Sequence, residues 1–269
     1  MYIYVAYSDI SKAILKTGLL KRVPESNIIK ISDEDYDPLK FQESLKNMNM
    51  LLTVGELDKL DDLNRLWKIG AVSTRMNIKT IAFLLYNADE VSKLRDNDSF
   101  FANFRKMYNV IDLMGFINTN VLYKMFSQKR ALIFLSNFVL RFIGSYARKS
   151  GAGLIISDAL FFKDSNVVNL STFNSTSKRY KTENLDKKMV NLGFWDYKSE
   201  EFTDAFVIIT IDKRFKQETH EHIIKKIRDM FKAKNMIWAI DYTKSENVEI
   251  HVIYGKKVNF TELTRILLK

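Results

Sequence analysis

The chain has 269 residues, of which 46% are hydrophobic, which is enough for one large domain or two of ordinary size. It contains no cysteine, which excludes disulfides and thiolate metal sites and fits a reducing compartment. The formal net charge of +10 favours attraction to nucleic acid, anionic lipid or an acidic protein surface. The first residues predict a strand rather than a signal peptide, and the longest apolar run, 131–140, is shorter than the roughly 20 residues of a membrane span. We therefore expect a cytoplasmic protein with no transmembrane segment.

Residues 1–118 alternate short strand patterns with helical patterns, which is typical of a parallel sheet covered by helices on both faces. The predicted strands are 2–6, 27–31, 50–54, 79–86 and 109–113, and the predicted helices are 10–20, 38–47, 57–72 and 99–107. Pro38 suits the first turn of its helix. The prediction is a three-layer α/β domain.

A long helical pattern follows, from Thr119 as a candidate N-cap to Lys149, and Gly151 and Gly153 would end it. The helix is apolar on more than one side, and such helices are usually enclosed. We therefore predict a central helix, 119–150, that lies between two domains.

Residues 151–269 predict a smaller α+β domain. Its first part contains a short strand at 154–156, a loop rich in Ser, Thr and Asn at 165–181, and a helix at 183–192. Its second part contains strands at 204–212, 236–242 and 248–254 and helices at 218–234 and 260–268. The polar residues 243–247 predict a hairpin between the last two strands.

This order of elements resembles the FtsZ/tubulin family over nearly the whole chain. MYIYVAYSDISKAILKTGLLK resembles the family's first strand, loop and helix, and MLLTVGELDKLDDLNRLWKIGAVSTRMNIKTIAFLL resembles its strand, signature loop, helix and next strand. SGAGLIISDALF is similar to the catalytic loop that follows the central helix, and FTDAFVIITIDKRF through VEIHVIYGKK is similar to the C-terminal domain. The resemblance implies an FtsZ/tubulin-like fold.

In that family two glycine-rich loops surround the phosphates of a guanine nucleotide, because only glycine allows such close backbone approach. Here the first loop corresponds to 6–10, which has no glycine, and the second keeps Gly55 as its remnant. Asp58, Asp61 and Asp62 occupy the first turns of the helix that follows, where they stabilise the helix and repel an anion. The prediction is a degenerate nucleotide domain with no cofactor, and GTP binding is the alternative.

The resemblance also makes Asp158 the remnant of a catalytic loop that positions water on the nucleotide of the next subunit. The family's asparagine and second acidic residue fall on Ile156 and Phe161. One carboxylate without its partners is poor equipment for activating water. We therefore predict a non-hydrolysing scaffold, or a co-assembling or capping partner, in filament assembly or cell division. Its partner would be itself or an FtsZ/tubulin-like protein.

The segment between Asp112 and Asp158 has no acidic residue and is strongly basic. Its basic side chains are Lys124, Lys129, Arg130, Arg141, Arg148 and Lys149. They form either a solvated helix face or a binding surface for an acidic partner. Two other functions stay open: an active GTPase with unusual loops that forms cytoskeletal filaments, and a basic nucleic-acid-binding α/β protein of viral or plasmid origin. The second predicts strongly salt-dependent binding.

The histidines do not predict a metal site. His220 and His222 are two residues apart on a predicted helix, whereas ligands that share a helix face need a spacing of three or four. We expect both to be exposed, and we expect His251 to face solvent from its strand. The aromatic residues of segment 100–108 lie among basic residues and could stack on single-stranded nucleic acid, but core packing is the favoured interpretation.

Overall fold

The computed structural model describes residues 2–17, 23–32, 36–147, 162–176, 180–198, 200–212, 217–243 and 247–268. The chain divides into two compact units. Unit 1 is Met1–Ala159 with Val258–Lys269, and unit 2 is Leu160–Lys257.

Unit 1 contains a parallel sheet in which four strands are almost entirely buried and one edge strand is not. The strands are β1 (Tyr2–Ala6), β2 (Ile28–Lys30), β3 (Met50–Glu56), β4 (Lys79–Tyr86) and β5 (Leu113–Asn118). They lie in the order β2-β1-β3-β4-β5, and each neighbouring pair is parallel. Continuous apolar runs such as that of β4 are typical of strands covered on both faces.

The helices of unit 1 begin at side-chain caps in most cases. They are α1 (Asp9–Lys16), α2 (Pro38–Ser44), α3 (Leu60–Arg75), α4 (Ala88–Lys93), α5 (Asp98–Tyr108), α6 (Thr119–Met125), α7 (Gln128–Ala147) and α10 (Phe260–Leu267). The asparagines that cap four of them each accept a backbone N–H of the first turn: Asn87, Asn97, Asn118 and Asn259.

Aromatic side chains join the sheet of unit 1 to its helices. Phe83 of β4 makes edge-to-face contacts with Phe138 and Phe142 of α7, at centroid distances of 4.9 and 5.6 Å. The C-terminal helix packs in the same unit, because Phe260 lies 5.4 Å from Phe104 of α5. The three-layer α/β class predicted from the sequence is confirmed.

The described part of unit 2 contains a mixed sheet and two α-helices. Its strands are β6 (Val167–Thr176), β7 (Val190–Asn191), β8 (Phe202–Asp212), β9 (Ala233–Thr243) and β10 (Asn247–Lys256), and its helices are α8 (Leu185–Lys188) and α9 (Gln217–Phe231). The order is β6-β10-β8-β9, with β7 beside β6. β10 is antiparallel to both β6 and β8, and β9 is parallel to β8.

Two predictions in unit 1 were wrong in detail. The predicted helix 119–150 is two helices, because Phe126 has an extended backbone (φ −135°, ψ 142°) and Ser127 then accepts the first hydrogen bond of α7. The fifth strand begins at Leu113 rather than at residue 109, since Asn109 caps the end of α5 and Val110 continues that turn. The strand predicted at 154–156 lies outside the described residues.

Three predictions in unit 2 were wrong. The segment predicted as a loop at 165–181 contains the ten-residue strand β6. The segment 183–192 forms only a 3-10 turn, the four-residue α8 and β7, not one helix. The last two strands do not form a hairpin, since β10 lies between β6 and β8 while β9 pairs with the other side of β8.

Throughout the described ranges, each helix is too short or too polar to cross a membrane.

Candidate functional site

The candidate site lies at the carboxyl ends of β1 and β3, where parallel sheets of this kind usually bind ligands. The loop after β1 is Tyr7 and Ser8, which lead into α1, and the loop after β3 is Leu57–Lys59, which leads into α3. A cleft of about 490 Å³ opens here. It is lined by Asp9, Lys12, Lys59, Leu60, Asp61, Asp62 and Arg65.

The backbone of the first loop is bonded to its own helix. Ser11 Oγ accepts the N–H groups of Tyr7 (3.0 Å) and Ser8 (2.8 Å), and Ser8 Oγ accepts the N–H of Ser11. Ser8 Oγ also lies 2.8 Å from the carbonyl of Val54, which ties this loop to β3. All of these groups are buried. Backbone N–H groups of the kind that hold phosphates therefore already have acceptors within the chain.

The second loop is closed in the same way by a carboxylate. Glu56 N–H donates to Asp62 Oδ2 at 3.1 Å, and Leu57 N–H donates to the carbonyl of Leu85 at 2.8 Å. Burial raises the pKa of Asp62 to about 6, although the hydrogen bond from Glu56 and the nearby cations Lys59 and Arg65 act in the opposite direction. Asp62 is only 4% exposed. An acidic group thus stands where an anion-binding loop would present bare backbone.

Gly55, the predicted remnant of the phosphate loop, is buried within β3, and the space above it is filled. A Cβ at Gly55 would overlap the hydroxyl oxygen of Tyr7. Tyr7 is fully buried, and its hydroxyl has no hydrogen-bond partner in the described part of the chain. Burial, reinforced by Asp62, raises the pKa of Tyr7 well above its usual value. The side chain is therefore a neutral plug over the glycine.

The charges of the cleft are balanced rather than cationic. Lys59 Nζ lies 2.8 Å from Glu56 Oε2 and 3.9 Å from Asp9 Oδ2. The hydrogen bond to Glu56 raises the pKa of Lys59. Arg65 donates to the carbonyl of Tyr7 at 3.4 Å. Three aspartates and three cations line the opening, so the lining carries charges of both signs in equal number.

The predicted basic residues divide into two groups. Lys124, Lys129 and Arg130 are exposed beside the break between α6 and α7, whereas Arg141 is partly buried. Three exposed apolar side chains lie among them: Tyr123, Met125 and Ile133. We call the three exposed cations together with these three apolar side chains the basic patch. Arg148, Lys149 and Asp158 lie outside the described residues.

The histidines differ from expectation. His251 is buried rather than solvent-facing, and its Nδ1 lies 3.1 Å from Thr172 Oγ1 of the neighbouring strand. His220 is also buried, beside the hydroxyl of Tyr242 at 3.3 Å, while His222 is exposed as predicted. Burial lowers the pKa of His220. The described residues contain no cluster of three His, Cys, Asp or Glu side chains that could hold a metal.

Sequence reasoning missed Tyr7, Ser11 and the hydrogen bond between Asp62 and Glu56. Ser8 and Ser11 have the spacing of a capping box, so this part of the site carried a local signal. Tyr7 carried none, because its contact with Gly55 joins residues that are far apart in sequence.

Comparison with known proteins finds no matching family model and no matching curated sequence. Solved structures do match. The empty FtsZ dimer of M. jannaschii gives a TM-score of 0.69 at 10% identity, covering 95% of this chain and 88% of that one. The GTPγS-bound protofilament of CetZ2 from Haloferax volcanii gives 0.64 at 9%, covering 99% and 96%. TubZ of Clostridium botulinum phage c-st gives 0.58 at 12%, covering 99% and 96%.

These matches span nearly the whole length of each chain and share one architecture. The protein has the FtsZ/tubulin fold, and the resemblance stated from the sequence is confirmed at the level of the fold.

Proposed function

We propose that the protein is a non-hydrolysing, FtsZ/tubulin-like assembly protein of the cytoplasm. It acts as a scaffold, or as a co-assembling or capping partner, in filament assembly or cell division. The observation that supports this most directly is that N–H groups of the two loops donate hydrogen bonds to side chains of the same chain. Those of Tyr7 and Ser8 are bonded to Ser11, and that of Glu56 is bonded to Asp62.

A triphosphate would have to displace these internal acceptors. It would also meet the carboxylates of Asp61 and Asp62 at the N-terminus of α3, where the helix dipole would otherwise favour an anion. The side chain of Tyr7 fills the space that Gly55 leaves open. Each feature acts against phosphate binding. Together they support a protein that functions through contacts with other proteins rather than through nucleotide hydrolysis.

The partner we propose is a second copy of this chain or another FtsZ/tubulin-like protein, bound end to end. The solved neighbours include a dimer of FtsZ and a protofilament of CetZ2. The charged cleft and the basic patch are the surfaces in unit 1 that we assign to this contact. A subunit with one disabled interface can occupy a filament end without extending it.

Nucleotide binding is the first test. Titration of the purified chain with a fluorescent GTP analogue, checked by calorimetry with GTP, should give no saturable binding and no phosphate release. Micromolar GTP binding would overturn the proposal and restore the GTPase alternative.

Assembly is the second test. Sedimentation with and without GTP, alone and with a filament-forming FtsZ/tubulin-like protein from the same cells, should show nucleotide-independent pelleting or a change in the partner's polymer mass. If the chain neither assembles nor co-pellets, the proposal fails. Retention on DNA or RNA that falls steeply with salt would instead favour the nucleic-acid alternative.

A further inference from the structure

β9 is an edge strand of unit 2. Within the described residues it pairs only with β8, and the register with β8 keeps one constant offset from Ala233 to Thr243 without a bulge. In that part of the chain, no second strand lies beside the seven residues 234–240 of β9, which form about 23 Å of edge. Natural proteins usually protect such an edge by making it short, or by adding bulges, prolines or central charges.

The middle of β9 has none of these protections. The six residues between Lys234 and Asp241 are Asn, Met, Ile, Trp, Ala and Ile, with no charge and no proline. Met236 to Asp241 are half-buried, and Tyr242 is 47% exposed. A long, unbulged and apolar edge is a template for pairing with another strand.

The sequence of β9 is complementary to itself in the antiparallel direction. When a two-fold axis perpendicular to the sheet relates two antiparallel strands, directly opposite side chains lie on the same face. The axis must therefore pass midway between the two copies of one residue. With the axis at Trp238, Met236 lies opposite Ile240 and Lys234 lies opposite Tyr242. On the other face, Ile237 lies opposite Ala239 and Asn235 opposite Asp241. No like charges meet.

Neighbouring registers are poorer. An axis at Ile237 places Lys234 opposite Ile240, and an axis at Ala239 places Asp241 opposite Ile237. Each sets a charge against an aliphatic side chain and loses the pairing of Lys234 with an aromatic ring. The register centred on Trp238 is therefore the favoured one.

We propose that β9 pairs antiparallel with β9 of a second copy of this chain, with the two-fold axis at Trp238. The sheet of unit 2 then continues through the interface. This contact is separate from the end-to-end association proposed above, and it uses neither the cleft nor the basic patch.

Charge substitutions at position 242 test the register. Tyr242→Lys places a cation opposite Lys234 of the second copy, twice per dimer, and should weaken dimerisation about tenfold. Tyr242→Glu should strengthen it by a similar factor, and Lys234→Glu combined with Tyr242→Lys should restore it. All variants at 242 lose the same contact with His220, so they are matched controls for one another.

Sedimentation equilibrium gives the dimer constant for each variant, with circular dichroism as the check on folding. Dimerisation that follows this order of charges supports the proposal. A monomer at every accessible concentration, or a dimer that is equally stable in the Lys and Glu variants, overturns it.

Disulfide cross-linking provides a second test, because the chain has no cysteine of its own. Trp238→Cys places two thiols across the axis, where paired Cα atoms lie about 4.5–5.5 Å apart, within the range for a disulfide. Lys234→Cys alone should not cross-link, since the two copies of residue 234 would lie about 27 Å apart. A mixture of Lys234→Cys and Tyr242→Cys should cross-link to each other. Cross-linking of Lys234→Cys to itself would overturn the register.

Discussion

The contact between Tyr7 and Gly55 links two residues that the sequence separates by 48 positions. A Cβ at position 55 would overlap the Tyr7 hydroxyl, whereas the next atom of that side chain, Cζ, lies 3.0 Å away. The hydroxyl is buried and has no partner in the described residues. Only glycine therefore fits below this particular tyrosine.

The first prediction is a double-mutant cycle at these positions. Gly55→Ala should lower the free energy of unfolding by about 1–3 kcal/mol, because the added methyl overpacks the site. Tyr7→Phe should be neutral or stabilising by about 1 kcal/mol, since it removes an unsatisfied buried hydroxyl. In the Tyr7→Phe background Gly55→Ala should cost less. Denaturant unfolding measures all four corners, and an equal cost in both backgrounds would show that the hydroxyl is not the obstacle.

Asp62 gives a pH-dependent stability. Its pKa of about 6 in the folded chain lies above the usual value near 3.8, so the folded state binds the proton more tightly than the unfolded state. Protonation of Asp62 therefore adds to the free energy of unfolding. This contribution is fully present below about pH 4 and is lost as the pH rises through about 6. A shift of about two units corresponds to at most about 3 kcal/mol.

Asp62→Asn should therefore raise the free energy of unfolding at pH 7 by about 1–3 kcal/mol and flatten its decline between pH 4 and pH 7. The amide oxygen can still accept the N–H of Glu56. Asp61→Asn is the matched control, because Asp61 is exposed and its replacement should change stability by about 0.5 kcal/mol or less. Denaturant titrations across this pH range measure both variants. An Asp62→Asn profile that keeps the wild-type slope would assign the pH dependence to another group.

At the scale of elements, Gly115 of β5 allows α7 to approach the sheet. A Cβ at Gly115 would overlap the ring of Phe83, which is held between this strand and the rings of Phe138 and Phe142. Phe83 is 1% exposed, so it cannot turn out into solvent without leaving these contacts.

Gly115→Ala should accordingly destabilise the protein by about 1–3 kcal/mol through overpacking. Gly144→Ala is the opposite control. Gly144 lies in α7 with nothing within 4 Å of an added Cβ, so alanine should stabilise the helix by about 0.5–1 kcal/mol. Thermal unfolding of the two variants compares them directly. A neutral Gly115→Ala would mean that Phe83 can leave its position without cost.

The sequence predicted most elements of unit 1 because their signals are local. β1 and β4 have the predicted bounds, since a buried parallel strand is a continuous apolar run between turn residues. The break at Phe126 was missed because the apolar stripe continues across it, and only the extended backbone of one residue separates the helices. Periodicity reports which side of a chain is apolar, not whether the helix is continuous.

Unit 2 was harder to predict because its signals are not local. The serines, threonines and asparagines of β6 predict a loop. Several of these are buried and bonded across the sheet, as Thr172 is to His251 and Ser171 to Tyr254. The same cause explains the wrong hairpin: β10 is buried almost throughout and takes the central position beside β8, whereas β9 is half-exposed at the edge. Strand order depends on contacts between distant segments.

For the molecule as a whole, the sequence predicted the fold, but it did not predict the groups that fill the cleft. The scarcity of glycines and the presence of aspartates in the two loops can be read directly from the sequence. That Ser11 and Asp62 accept the loop N–H groups, and that Tyr7 covers Gly55, depends on the folded geometry. The composition of a loop is therefore visible in the sequence, whereas the contacts that fill the cleft are visible only in the structure.

Substitutions in the basic patch test how the whole molecule associates with a partner. Its three cations are exposed beside exposed apolar side chains, a combination suited to an acidic protein surface with an apolar centre. Changing Lys124, Lys129 and Arg130 together to Glu should weaken co-pelleting with an FtsZ/tubulin-like partner by about tenfold or more, because attraction becomes repulsion.

The matched control changes Lys40, Lys46 and Lys68 to Glu. These residues are also exposed, and the change alters the net charge by the same amount. If both triple variants weaken association equally, the effect comes from net charge, and the patch is a solvated face. If only the patch variant is affected while its unfolding transition is unchanged, the three cations form the contact.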